Sequence, residues 1–145
     1  MACRMPKYEL NVIEAGQETP DVKSVRLEKP KGFDFRPGQF VSMNLNVKED
    51  KRGGIRTLSI AASPTEDFLM FTTRISDSVF KQRFNALKKG DKVNVAGPFG
   101  NFTLHDDFSK KAVLIAGGIG ITPFRSMIKY AADEKLALEI DLLYS

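Results

Sequence analysis

Three glycines follow a short apolar run near the end of the chain, and this stretch limits the available folds more than any other. Residues 115–125 read IAGGIGITPFR. The preceding run, KAVLIAGG (111–118), is typical of a strand buried on both faces. The segment 122–136 reads as a helix with Thr122 at its cap and Pro123 at its first position. Residues 137–145 read as another strand, so the region predicts a βαβ unit.

The first hundred residues indicate short strands instead. Six runs of alternating or β-branched residues are separated by turn signals, at 8–16, 21–30, 38–47, 56–63, 67–76 and 91–97. Residues 77–90 (DSVFKQRFNALKKG) have helical spacing, with Asp or Ser available as a cap. The predicted fold is therefore mainly β, a closed or nearly closed six-stranded antiparallel barrel with one inserted helix, followed by a partial α/β (βαβ) unit. The polar stretch 104–111 places the boundary between domains 1–107 and 108–145.

Composition excludes several classes of site. The 145 residues include one cysteine, Cys3, and one histidine, His105, too few for a structural zinc site or an iron–sulfur cluster. We therefore expect no metal and a reducing, cytoplasmic location. The longest apolar run, 112–121, is about half of what spans a bilayer. The net charge of +4 comes from basic residues interleaved with acidic ones, so nucleic acid is not the expected partner.

Four motifs remain open when each is interpreted alone. The glycine-rich turn suits either tight packing or a nucleotide phosphate held at a helix start. Arg56, in RTLSI (56–60), suits a surface salt bridge as well as a ligand contact. The segment SDSVFK (76–81) is either an ordinary helix cap or a second anion site, and GPFGNF (97–102) reads first as a turn.

Taken in order, these motifs resemble the ferredoxin–NADP⁺ reductase superfamily of two-domain flavoenzymes. The resemblance runs from PGQF (37–40) through RTLSIAASP (56–64) and GDKVNVAGPFGNF (90–102) to AGGIGITPFRSM (116–127). It implies that domain 1–107 is a Greek-key barrel that binds FAD, with FMN less favoured, and that 108–145 is the N-terminal fragment of a Rossmann-like NAD(P)-binding nucleotide domain.

The resemblance also implies roles for individual residues. Arg56 would neutralise the FAD pyrophosphate, Leu58 would pack on the flavin where the family prefers an aromatic residue, and Ser59 would hydrogen-bond near its reactive nitrogen. The implied cofactor-binding residues are Arg56, Thr57, Leu58, Ser59, Thr73, Arg74, Ile75, Ser78, Val79, Phe80, Lys81, Gly117, Gly118, Gly120, Thr122 and Pro123. The implied catalytic residues are Ser59 and Thr122.

The implied activity is hydride transfer from NAD(P)H to FAD, followed by electron delivery to an acceptor such as a ferredoxin or an oxygenase component. Two nucleotide-domain strands are fewer than the family's five or so, which predicts a truncated domain, completion by another chain, or a homodimer. Two alternatives stay open. The chain is either a flavin-binding module without its own NAD(P)H turnover, or a barrel that binds neither cofactor and serves as a partner or nucleic-acid surface.

Overall fold

The computed structural model describes residues 6–50 and 53–145, and its first hundred residues form one antiparallel sheet of six strands. The strands are β1 (Lys7–Thr19), β2 (Val22–Glu28), β3 (Phe40–Asn44), β4 (Ile55–Ser59), β5 (Phe68–Arg74) and β6 (Lys92–Phe99). Helix α1 (Val79–Asn85) lies between β5 and β6. The predicted order of elements is confirmed, although α1 is seven residues long rather than three full turns.

The sheet has the strand order β4-β3-β6-β1-β2-β5, with every neighbouring pair antiparallel. The two outer strands meet, because the Ala61 amide, just after β4, donates to the Met70 carbonyl of β5 at 2.8 Å. This bond closes the sheet into the predicted barrel and brings β4 beside β5.

The barrel interior is packed with aliphatic and aromatic side chains. Phe33 and Phe71 are almost completely buried, and Phe80 and Phe84 of helix α1 pack into the same core. The cap prediction for α1 is confirmed, since the Ser78 hydroxyl accepts a hydrogen bond from the Lys81 amide at 3.3 Å. At the other end, the buried Lys23 ammonium donates to the main-chain oxygens of Asn85 and Leu87. Both ends of this short helix are thereby fixed by side chains.

The remaining residues form the predicted βαβ unit. Strands β7 (Ala112–Ala116) and β8 (Ile140–Tyr144) pair in parallel, and a 3₁₀ turn (Gly118–Ile121) leads into helix α2 (Thr122–Asp133). The prediction that Thr122 caps α2 is wrong. Its hydroxyl instead donates to the Ile119 carbonyl at 3.2 Å, because the 3₁₀ turn already continues the chain into the helix.

Helix α2 packs against the barrel rather than standing apart from it. The fully buried Ser126 hydroxyl donates to the Ala62 carbonyl at 2.6 Å. Arg125 forms a bidentate ion pair with Glu66, at 2.8 and 3.0 Å. A Cβ on Gly38 would lie 2.4 Å from the Met127 methyl carbon, so bare backbone is needed where α2 meets the barrel. These contacts fix the glycine-rich turn relative to β4 and β5.

Two hydrophobic clusters divide along the predicted domain line, one inside the barrel and one between α2 and β7. The boundary at 107/108 itself stays a prediction. Across residues 6–50 and 53–145, no helix is long and apolar enough to cross a bilayer. Cys3, with the predictions that depend on it, lies outside the described residues.

Candidate functional site

A crevice separates the barrel from the glycine-rich turn. One part, about 380 Å³ in volume, is lined by Thr72 and Arg74 of β5 on one side and by Gly118 and Ile121 on the other. An adjoining part of about 190 Å³ is lined by Thr72, Ile121 and Thr122 among others. Of the predicted site residues, Arg74, Gly118 and Thr122 thus share one concave surface, the kind of place where small ligands bind.

Arg74 bridges the two sides of this crevice. Its side chain is 59% exposed, and its Nε lies 3.2 Å from a carboxylate oxygen of Asp21. A Cβ built on Gly118 would be 3.7 Å from the Arg74 guanidinium. The guanidinium therefore lies over the glycine-rich turn, where an anionic group entering the crevice would meet it.

The three glycines of the turn differ in backbone conformation and in the space around them. Gly118 has φ +50°, a left-handed conformation that favours glycine. Gly117 and Gly120 have no such conformation, and a Cβ at either would meet no protein atom within 4 Å. Neither strain nor packing therefore requires glycine at 117 and 120. Open space beside bare backbone is compatible with a closely approaching ligand, so ligand binding at these two glycines stays a prediction.

The residues predicted to bind the FAD pyrophosphate lie elsewhere, around the carboxylate of Asp50. The Arg56 guanidinium donates to one oxygen of Asp50, and the Phe80 amide donates to the other at 2.9 Å. Arg56 also donates to the carbonyls of Gly53 and Ile55, at 2.7 Å each, and lies 5.3 Å from the centroid of the Phe80 ring. The Arg56 guanidinium, which the resemblance assigns to the FAD pyrophosphate, and the Phe80 amide thus converge on one anion, so this donor set fits the phosphate oxygens of FAD.

The other predicted residues vary in their access to a ligand. Thr57 and Val79 are exposed, Ser59, Lys81 and Pro123 are half-buried, and Leu58 and Ile75 are partly buried against the barrel core. Thr73 is buried at 6% exposure. Because successive residues of β5 point to opposite faces, Thr72 and Arg74 face the crevice and Thr73 does not.

Sequence reasoning therefore missed Thr72, although the period-two alternation of β5 could have indicated it. It also missed Glu18, which lines both parts of the crevice, and Asp50. No local pattern marks Asp50, because the donors Arg56 and Phe80 lie 6 and 30 residues further along the chain.

Arg125 lines the smaller part of the crevice and is held there by its ion pair with Glu66. Hydrogen bonding from Arg125 holds the pKa of Glu66 below its usual range, and the amide of Ser63 adds to this effect. The same hydrogen bond raises the pKa of Arg125. Both groups are charged at neutral pH, so the wall of the crevice is fixed by electrostatic as well as apolar contacts.

Comparison with known proteins agrees with this geometry. Residues 9–104 match the oxidoreductase FAD-binding domain family, which is more than half of the chain. The chain belongs to that family. Its resemblance to the ferredoxin–NADP⁺ reductase superfamily is confirmed, and FAD is the cofactor that the family binds.

Several curated relatives are named as reductases. The chain is 28% identical over 144 residues to the glycine betaine monooxygenase reductase subunit of Chromohalobacter salexigens, and the match covers 96% of this chain and 39% of that protein. It is 31% identical to the sulfhydrogenase 2 gamma subunit of Pyrococcus furiosus, and that match covers 94% of this chain and 48% of that protein. The chain therefore spans less than half the length of these two relatives.

Solved structures give the same picture. The Amycolatopsis cytochrome P450 reductase GcoB matches with a TM-score of 0.79 and 27% identity, over 97% of this chain and 44% of that one. A ferredoxin NADP⁺ reductase from Neisseria gonorrhoeae, solved with bound FAD and NADP, matches with a TM-score of 0.79 and 22% identity, over 95% and 56%. The predicted barrel and βαβ architecture is thereby confirmed.

The absence of a metal stays a prediction. Within residues 6–50 and 53–145, no three histidine, cysteine, aspartate or glutamate side chains gather as a metal-binding group would.

Proposed function

We propose that this chain is the FAD-binding part of an NAD(P)H-dependent oxidoreductase. The carrying observation is that Arg74 of the barrel shares one crevice with Gly118 and Thr122 of the glycine-rich turn. Gly117 and Gly120, beside Gly118 in this turn, are glycines that neither strain nor packing requires. FAD, when bound, would accept a hydride and pass on electrons, and the protein would supply position and electrostatics.

Each group of residues would have its own task. Arg56 and the Phe80 amide would bind the pyrophosphate, and Leu58 and Ser59 would line the flavin. Arg74 would attract an anionic part of a ligand, and Thr122 would lie near the reacting end of the nicotinamide. The open turn would admit the nicotinamide, since a Cβ at Gly120 would occupy that space.

We further propose that electrons pass to a ferredoxin or an oxygenase component. Support comes from relatives whose names describe reductase parts of oxygenase systems, including the propane 2-monooxygenase reductase component of Mycolicibacterium goodii. The domain division at 107/108 and pairing with a second copy or a completing chain are part of this proposal.

A second function has its own support. The family match over residues 9–104 is to an FAD-binding domain alone, and a flavin-binding module without independent NAD(P)H turnover would need no more than that domain. The two proposals differ in what NAD(P)H does to bound flavin.

The test begins with the visible spectrum of the purified chain with added FAD. Anaerobic addition of NADH or NADPH should bleach the flavin band, and Gly120→Ala should slow the bleaching with FAD affinity unchanged. Gly16→Ala is the matched control, because a Cβ there also meets no protein atom within 4 Å. Flavin binding without bleaching would support the module, and no flavin binding would refute both proposals.

A further inference from the structure

Asp50 is a buried acid whose two oxygens are held by the donors that the proposed function assigns to FAD. Its side chain is 4% exposed, and that of Arg56 is 16% exposed. One oxygen accepts from the Arg56 guanidinium and the other from the Phe80 amide. A guanidinium and a main-chain amide directed at two oxygens of one anion also form the arrangement that binds a phosphate.

A carboxylate and a pyrophosphate cannot both use these donors. Each donor is directed at an Asp50 oxygen, and two anions brought together here would repel each other in a place with little water to screen them. Asp50 therefore has to withdraw, or give up one of its contacts, before a phosphate can take both donors.

The surrounding loop holds Asp50 in place. The Gly53 amide donates to the Asp50 carbonyl at 2.8 Å, and the Leu45 amide donates to the Gly54 carbonyl at 3.1 Å. A Cβ on Gly54 would lie 2.7 Å from the Val47 carbonyl oxygen, so the described residues at the two ends of the connection between β3 and β4 pack closely against each other. Asp50 is thus held by main-chain contacts as well as by its side chain.

We propose that Asp50 is a specificity-determining residue that competes internally with the pyrophosphate of FAD for Arg56 and the Phe80 amide. The proposal rests on the proposed function. Asp50 lowers affinity for flavins that carry a pyrophosphate and leaves affinity for riboflavin, which carries none, unchanged. The chain thereby discriminates less strongly between FAD and smaller flavins than it would if Arg56 had no competing carboxylate beside it.

The test compares FAD and riboflavin on the wild-type chain and on Asp50→Asn by isothermal titration calorimetry. Asparagine keeps the shape of the side chain and removes its charge. We expect Asp50→Asn to bind FAD about tenfold more tightly, because the substitution removes one charged competitor for a charge-assisted hydrogen bond. The affinity for riboflavin should stay unchanged. Asp107→Asn is the matched control, since it removes one negative charge from an exposed carboxylate paired with Lys110.

Each outcome is decisive. Weaker or equal FAD binding by Asp50→Asn, with riboflavin still bound, would overturn the proposal and make Asp50 a support for Arg56. An equal gain for FAD and riboflavin would overturn it as well. If neither variant binds any flavin, the proposed function fails too, and urea unfolding of both variants establishes that the chains are folded. ADP, used as a pyrophosphate probe without a flavin ring, should repeat the FAD result.

Discussion

The ion pair between Arg125 and Glu66 should hold α2 to the barrel. Arg125 donates to both oxygens of Glu66 and, at 2.8 Å, to the Ala61 carbonyl. Hydrogen bonds to charged groups contribute about 1.5–3 kcal/mol. The Glu66 side chain is 13% exposed but that of Arg125 is 36% exposed, and water weakens such a pair. We therefore expect Arg125→Met to lower the free energy of unfolding by about 1–2 kcal/mol.

The assay is equilibrium urea unfolding at neutral pH, with Glu66→Gln and the double variant completing a thermodynamic cycle. Lys129→Met is the control. Its ion pair with Asp133, at 2.6 Å, joins residues four apart on α2 and has side-chain exposures of 42% and 30%. We expect Lys129→Met to lower the free energy of unfolding by about 0.5 kcal/mol or less. An Arg125→Met cost no larger than this would refute the argument, as would a cycle without coupling energy.

The same pair predicts a pH dependence with a definite sign. Arg125 holds the folded pKa of Glu66 below its usual range, so the pair stabilises the fold fully above the unfolded pKa of about 4.3. That stability is lost as the pH falls through the lower folded pKa. The difference in unfolding free energy between wild type and Arg125→Met should therefore shrink at about pH 3. A difference that stays constant would contradict the assignment.

Two further substitutions test packing and burial. In Gly38→Ala the new Cβ would lie 2.0 Å from the Phe102 carbonyl oxygen, at a φ of +99°, so we expect a loss of about 2–4 kcal/mol in thermal or urea unfolding. Gly16→Ala, in open space, should cost far less, and equal costs would contradict the steric argument. Lys23→Met removes a buried ammonium whose pKa burial lowers, and it leaves the Leu87 carbonyl, 2.8 Å away, without that donor. We expect a loss of about 1–3 kcal/mol in urea unfolding, and unchanged stability would show that water replaces the ammonium.

The order of elements could be predicted because each strand and helix has a local signal. Alternation, turn residues and one continuous apolar run predict the eight strands, and an Asp or Ser cap predicts the start of α1. The number and spacing of the short strands predict the barrel. The strand order β4-β3-β6-β1-β2-β5 is beyond such reasoning, because no local pattern says which strands become neighbours.

The site was less accessible to sequence reasoning, for two physical reasons. Thr73 was chosen as a ligand contact on the basis of its motif, although strand alternation places Thr72 on the crevice side. Thr122 was assigned as a cap because the 3₁₀ turn before α2 has no distinct signal. Contacts such as Asp50 with Phe80 depend on tertiary structure, so only coordinates reveal them.

The two arginines of the candidate site are both paired with aspartates, and their burial decides which pair can open. Arg74 and Asp21 have side-chain exposures of 59% and 58%, so their pair contributes about 0–1 kcal/mol and Arg74 can turn toward a ligand at little cost. Arg56 and Asp50 are 16% and 4% exposed, so water screens their pair much less and separating them costs more than separating Arg74 from Asp21. Under the proposed function, a pyrophosphate would offset that cost by taking the place of the carboxylate on both donors. Riboflavin has no pyrophosphate and would not meet that cost, which is why the comparison of FAD with riboflavin tests the role of Asp50.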